Sequence, residues 1–403
     1  MSTRQPQSDA QTPPGVLRLL LRSQEIGLLV VISLMMLGLT LGTPSITTSD
    51  LIPQPADATA ERGDESFTIT ANGTTTTYKE ADGYSLRFVD DENGESHPLL
   101  VHQYQVNKFF NKNNLMIVAT TASFIAVMAI GMTGIIIMGG IDLSIGSIYA
   151  LAGVAGAALL HSMNAKHPDV SGWQTIPLGV LVCTAVGAAC GLVNGVATVG
   201  LRVHPFIITL GGLAVFRGIA FVTTQGQSIG DFPASFTSGG FKAEFFGVTP
   251  VPALIMLAVA AIGAFVFSRS TFGRHTYAIG GNEIAAKYAG VPVTRVKVML
   301  FVLAGLLAGL SAAMKCGYFG ASSSGDGSGY ELRVIAASVV GGASLSGGRG
   351  SLVGAMLGAI VMQLIDNSIV VLGIDSNYTN IVIGLAIVLA VVVDQAKARF
   401  LRT

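Results

Sequence analysis

The sequence predicts an all-α polytopic membrane protein of about ten transmembrane helices with an internal repeat, plus a small β-rich extracytoplasmic insert. Three observations lead there. The 403-residue chain is 51% hydrophobic and only 11% charged, whereas soluble domains carry about a quarter charged residues. Its mean hydropathy is +0.63. Its 50 glycines suit apolar helices that must approach one another closely. A net charge of +0 gives no reason to expect nucleic acid as a partner. Cys183, Cys190 and Cys316 all lie in apolar stretches and read as small core residues without redox or metal duty.

The elements follow in order. A polar head bearing Arg4, Arg18 and Arg22 precedes "IGLLVVISLMMLGLTLG", Ile26 to Gly42. That run is longer than a usual signal-peptide core and no A-x-A site follows, so it reads as an uncleaved first span. Apolar runs of spanning length fall roughly at 25–42, 115–138, 145–162, 176–198, 206–224, 250–268, 296–316, 331–344, 352–373 and 378–394, the eighth being short. With the N-terminus inside, thirteen Lys and Arg fall on the cytoplasmic side and three in the short outer loops. Five more lie in the long insert, where charge counts little, although Lys108 and Lys112 are close to a span. Both termini are therefore expected in the cytoplasm.

The domain organisation expected is a cytoplasmic N-terminus and first span (1–42), an extracytoplasmic insert (43–114), a transmembrane core (115–395) with a cytoplasmic loop at 268–297, and a short cytoplasmic tail (396–403). In the insert, "SFTITANGTTTTYKE" alternates Phe67, Ile69 and Ala71 with hydroxyl residues and then turns at Asn72-Gly73. "YSLRFVDDENGESHPLLVHQY" alternates again around an acidic turn at Asn93-Gly94. Both are hairpin signals.

An internal echo links "IMGGIDLSIGSIYALAG" (137–153) with "VVGGASLSGGRGSLVGAMLG" (339–358). Each has a glycine pair ending one span (Gly139-Gly140, Gly341-Gly342), a Leu-Ser turn (around Ser144, and around Ser344 and Ser346), and a Gly-Ser opening the next. Duplicated, Gly-interrupted segments often mark the working core of a transporter. Asp142 lies in the first turn. At a helix centre its charge would cost about 2.5–3.5 kcal/mol; at a boundary it can instead accept backbone N–H groups near Ser144 and Ile145. A structural cap, a gating or coupling role and a proton relay all stay open for it.

The longest inner loop, 268–297, holds a short helix with its own punctuation. Asn282 is a good N-cap, Gly290 suits the left-handed C-terminal position, and Pro292 prevents continuation. Glu283 and Lys287 stand four apart in the favourable order. Ile284, Ala285 and Tyr288 share another face. A helix this short needs packing to persist, and it suits insertion into a partner's groove. The chain has no G-x-x-x-x-G-K-[ST] phosphate loop and no His or Cys cluster at metal-ligand spacing, so no cofactor or metal is expected and ATP hydrolysis by that route is excluded. Arg217, Arg333 and Asp366 are the ionisable residues that stand out inside spans, fewer than a proton-driven carrier usually needs. A passive path driven by another subunit fits best. Asn194, Thr209, Asn367 and Asn380, with Thr133 nearby, are the amide and hydroxyl residues available to line it.

The stretches "GGIDLSIGS", "GLVNGVATVGLRVHPFIITLGGLAVFRGIA", "GGNEIAAKYAGV" and "YELRVIAASVVGGASLSGGRGSLVGAMLGAIV" resemble the transmembrane permeases of bacterial monosaccharide ABC importers, to which ribose, xylose and galactose systems belong. The resemblance covers roughly 115–395 plus the first span. It implies a non-enzymatic ten-helix permease of the bacterial inner membrane that works with a second copy or a sister permease. Its implied partners are an ABC ATPase with two nucleotide-binding domains and a periplasmic sugar-binding protein. It also implies that Asn282 to Gly290 is the coupling helix receiving the ATPase stroke, with Glu283, Ala285, Ala286 and Gly290 at motif positions and Lys287 beside them.

Two departures stand out: the insert, and Arg333 where the family's "YEL" stretch normally continues with Asp. Glu331 or Asp326 is the expected partner of Arg333. Competing readings are a related ABC permease for branched-chain amino acids or nucleosides, and a stand-alone secondary carrier.

Overall fold

The computed structural model describes residues 24–55, 58–90, 96–385 and 388. The chain divides into two compact units, Met1–Met36 with Leu115–Thr403, and Leu37–Asn114. The cationic residues expected at both termini, such as Arg4 and Lys397, lie outside the described residues.

The first unit is helical. Its elements, with α1 and α2 running on into the second unit, are α1 Gln24–Gly42, α2 Lys112–Ile137, α3 Ile145–Lys166, α4 Gly172–Leu201, α5 Pro205–Thr224, α6 Val251–Arg269, α7 Thr271–Gly281, α8 Glu283–Tyr288, α9 Val293–Phe319, α10 Tyr330–Val340 and α11 Leu352–Val371. Eight of these, α1 to α6, α9 and α11, are long and apolar enough to cross a membrane. One of the ten expected spans differs. The eighth is α10, whose 11 residues measure about 16 Å at 1.5 Å per residue, well short of a bilayer core of about 30 Å. It is bounded by Gly329 (φ 78°) and by Gly342 (φ 98°), conformations that end a helix. The tenth is helical at 379–385 and at 388 among the described residues, and most of the remainder lies outside them.

Glycine decides how the helices meet. α9 lies along α4 with backbone against backbone: a Cβ on Gly305 would sit 2.2 Å from the Gly187 carbonyl oxygen, and one on Gly309 would sit 2.1 Å from that of Cys183. Such approach lets dispersion and Cα–H contacts hold helices where lipid offers no hydrophobic drive. α2 is buried on all sides from Ala122 to Ile137, as expected of a helix apolar all round. The three cysteines are buried and unbridged.

The second unit carries two three-stranded antiparallel sheets. One is ordered β1 (Ser45–Pro53), β6 (Ser96–Asn107), β5 (Tyr84–Asp90); the other β2 (Thr59–Arg62), β3 (Ser66–Ala71), β4 (Thr74–Lys79). Asn72 (φ 52°) and Gly73 (φ 73°) form the β3–β4 turn, both left-handed as a two-residue hairpin of right-twisted strands demands. Phe67 and Ile69 point inward together with Leu100 and Ala58. The turn at Asn93-Gly94 lies outside the described residues, but β5 and β6 pair on either side of it, Asp90 opposite Ser96.

Candidate functional site

The first glycine turn closes α2. The Gly139 N–H bonds to Ile136 O and the Gly140 N–H to Ile135 O, both at 2.9 Å, with Gly139 at φ 87°. This is a Schellman ending, which satisfies carbonyls left over by the helix. The chain then buries Asp142 completely. Its Oδ1 accepts the Ser144 N–H (2.8 Å) and the Ser144 hydroxyl (2.6 Å). Asn194 of α4 donates to Ser144 Oγ at 2.7 Å. Thr209 of α5 accepts the Leu143 N–H at 3.1 Å. Ser147 donates to Ser144 O. Asp142 Oδ2 has no partner among the described residues. Burial raises the Asp142 pKa above the ordinary carboxylate value, and the bonds from Ser144 pull it back down.

The expected cap is therefore half realised. Asp142 takes the Ser144 N–H, and Ser144, immediately before α3, spends its hydroxyl on Asp142 rather than on the helix. Asn194 and Thr209, chosen from sequence as separate polar residues, join the same network.

The second glycine turn ends α10 in the same way. The Gly342 N–H bonds to Val339 O and the Ala343 N–H to Ser338 O, each at 2.9 Å. The left-handed glycine is the second of its pair, Gly342, whereas in the first turn it is Gly139, so the closures are one residue out of step with the sequence echo. Gly341 instead packs where a Cβ would be 2.4 Å from the Gly354 backbone. The Ser344 N–H bonds to Arg349 O, Ser346 is exposed, and Ser351 caps α11 by accepting the Gly354 N–H at 3.1 Å.

The two turns touch. Gly348 donates its N–H to Ile137 O at 2.8 Å. Gly280 of α7 is wedged on that bond: a Cβ there would lie 1.7 Å from Ile137 O and 2.5 Å from Gly348 N. Tyr277 of α7 donates to Gly350 O at 2.8 Å. α7 leads directly into α8. There the Asn282 side chain accepts the Ala285 N–H at 2.9 Å, and the chain leaves through Gly290 at φ 84° with the Val291 N–H on Ala286 O. Ala286 is buried, while Ile284 and Tyr288 are 70% and 89% exposed. Glu283 pairs with Lys297 at 2.7 Å rather than with Lys287. The start of α9 swings Lys297 alongside α8, a proximity that helical spacing cannot reveal.

The intramembrane charges also find partners other than those expected. Arg333 of α10 pairs with Asp366 of α11 at 2.6 Å, not with Glu331 or Asp326, because α10 and α11 pack side by side. Asp326 pairs with Lys315 at 2.6 Å and accepts from Ser322 and Ser323. Arg217, thirteenth of the twenty residues of α5, donates to Ser324 O and Asp326 O.

The non-helical stretch 320–329 thus lies against the first turns of α3. A Cβ on Gly146 would be 2.4 Å from Gly327 O, and Tyr149 and Tyr330 rings are 5.6 Å apart. Irregular backbone at that depth persists only where protein or a polar cavity satisfies it. The pairing of Asp326 with Lys315 is not foreseen in the sequence, where Asp326 is considered only for Arg333; the polar run "ASSSGDGSG" is the available signal. Asn367 is nearly buried on α11, and Asn380 is exposed beyond it. Thr133 is buried with its hydroxyl unpartnered among the described residues.

A family model described as branched-chain amino acid transport system / permease component matches residues 114–391. The ribose import permease protein RbsC of Escherichia coli K12 is 36% identical over 295 residues, covering 72% of this chain and 88% of that protein. RbsC of Bacillus subtilis 168 is 37% identical over 290 residues (72% and 87%). The galactose/methyl galactoside import permease protein MglC of Haemophilus influenzae is 34% identical over 299 residues (72% and 88%).

Proposed function

Because the chain belongs to the family described as branched-chain amino acid transport system / permease component, and is the permease subunit of an ABC sugar importer, we propose that it forms the path for a monosaccharide of the ribose, galactose or allose kind. In this reading a periplasmic binding protein delivers the sugar, an ABC ATPase with two nucleotide-binding domains drives the cycle, and a second copy or sister permease completes the path. The chain lies in the bacterial inner membrane with both termini and 268–297 in the cytoplasm. The 43–114 insert stands outside, and the chain makes ten passes with an internal repeat, the eighth formed by α10 together with the irregular stretch 320–329 that precedes it.

The observation that carries the mechanism is the continuous contact from α8 to both glycine turns. α8 offers Ile284 and Tyr288 outward and is fixed at its ends by Asn282 and Gly290. α7 carries any displacement to the Gly280–Ile137–Gly348 junction. α2 ends there, and five residues on stands Asp142, whose network with Ser144 and Asn194 ties α3 to α4, with Thr209 bringing in α5. A docked ATPase shifts the path only by contacting its two orientations differently, and this junction is where such a difference would be felt. Sugars resist the bilayer because their hydroxyls lose hydrogen bonds to water. Asn194, Thr209 and Asn367 supply replacements along the path, with Asn380 at its outer end.

The test is reconstitution in liposomes with a cognate ATPase and binding protein. ATP-dependent uptake of ribose or galactose supports the reading. Uptake without the ATPase refutes it in favour of a stand-alone carrier. A partner that binds branched-chain amino acids would favour the second reading, which the wording of the family description supports. Glu283→Arg/Ala286→Arg should abolish association with the ATPase while the protein still inserts.

A further inference from the structure

On the same side of the helical unit as α8 there is a cleft of about 1150 Å³. The corner between α4 and α5 contributes Arg202 and His204, α8 contributes Lys287, and the start of α9 contributes Arg295 and Lys297. The carboxylate in its lining is Glu283, already held by Lys297. Arg202, Lys287 and Arg295 have no ion-pair partner among the described residues. Three unpaired cations around one cavity favour an anion strongly over a neutral ligand.

The rim says which kind of anion. The cleft opens where two spanning helices end and begin, and the ends of those helices carry outward-facing apolar side chains: Leu201, next to Arg202 in the chain, is 68% exposed, and Phe206 and Ile207, just after His204 and Pro205, are exposed as well. A soluble acidic peptide has no use for that rim. An amphiphile places its head among the cations and its tails along α4 and α5. Arg202 holds a left-handed backbone (φ 55°), a conformation that costs a non-glycine residue of order 1 kcal/mol and that sets this cation at the corner.

We propose that this cleft is a binding site for the phosphate headgroup of an anionic phospholipid of the cytoplasmic leaflet. Which leaflet it meets rests on the orientation given above; that it binds anionic lipid does not. The lipid would brace the α4–α5 corner, which carries Asn194 and Thr209, against the α8–α9 segment that meets the ATPase. Basic pockets between helices at the cytoplasmic side bind anionic headgroups, and each Lys or Arg near an anionic membrane surface adds about 1 kcal/mol, or about fivefold, which sets the scale per cation here.

The experiment uses the full-length protein purified in neutral detergent and challenged with phosphatidylglycerol or phosphatidylcholine, retention being read by native mass spectrometry. Phosphatidylglycerol should be preferred. Arg202→Asn/Arg295→Gln should weaken its retention roughly 25-fold, twice the per-cation effect on a logarithmic scale. Asn is chosen at 202 because it tolerates positive φ. Arg202→Lys/Arg295→Lys should keep the lipid, and Arg269→Gln, outside the cleft, should not change retention. Unchanged retention in the double variant overturns the proposal. So does inorganic phosphate displacing the lipid as well as a second phospholipid does, which would make the occupant a soluble anion. Loss of ATPase association without loss of lipid would assign the cleft to an acidic protein segment instead. Micelles have no sidedness, so cysteine labelling of 268–297 in intact cells tests the orientation separately.

Discussion

Gly280→Ala is the sharpest test of the mechanical path. The added methyl would lie 1.7 Å from Ile137 O and 2.5 Å from Gly348 N, against about 3.4 Å for ordinary contact, and both atoms belong to backbone. The Gly348 N–H···O Ile137 bond (2.8 Å) must then open, or α7 must retreat by more than 1 Å. Overpacking of this sort costs about 1–3 kcal/mol, and a lost, partly buried backbone bond adds about 1 kcal/mol. The expected penalty is about 2–4 kcal/mol, concentrated at the junction. The exposed face of α8 is untouched, so ATPase association should persist while ATP-driven uptake in proteoliposomes falls at least tenfold. Gly281→Ala is the internal control, since a Cβ there meets nothing within 4 Å. Wild-type uptake by Gly280→Ala, or equal losses in both variants, would refute the claim that the stroke passes through this contact.

Further outcomes follow from the same geometry. Asp142→Leu leaves the Ser144 N–H and hydroxyl without their acceptor, so the detergent-solubilised protein should lose about 1–3 kcal/mol, seen as a lower midpoint of thermal unfolding. Asp142→Asn keeps an acceptor oxygen and should sit near wild type. Arg333→Leu strands the Asp366 carboxylate in a largely buried setting and should destabilise by about 3 kcal/mol. Arg333→Leu/Asp366→Leu should recover most of that loss, and failure to recover would show that the pair is not the dominant contact. Gly290→Ala forces a side chain into φ 84° and should weaken the end of α8 by about 1 kcal/mol, measured as reduced ATPase affinity with unchanged insertion. Gly305→Leu meets the α4 backbone and should prevent a stable fold altogether, assayed by loss of monodisperse protein.

Much of this protein is legible in the sequence because the controlling physics is local. A run of apolar residues spans lipid whatever its neighbours do, which is why eight helices stand where apolarity placed them. Asn72-Gly73 takes left-handed backbone and turns a hairpin by itself; Asn282 and Gly290 bracket α8 by side-chain capping and positive φ. The family, too, was visible in contiguous motifs. What the sequence left undecided depends on residues far apart in the chain. The partner of Arg333 is 33 positions away in α11, and Glu283 takes Lys297 instead of the helically spaced Lys287. The short α10 follows from a stretch, 320–329, that Arg217 of α5 holds in place. Asn194 and Thr209 form one network with Asp142 only because α4 and α5 both pack on α3. Apolarity and backbone preference belong to each residue alone, whereas ion pairs and glycine contacts exist only once two helices have met, and that was settled by the tertiary structure.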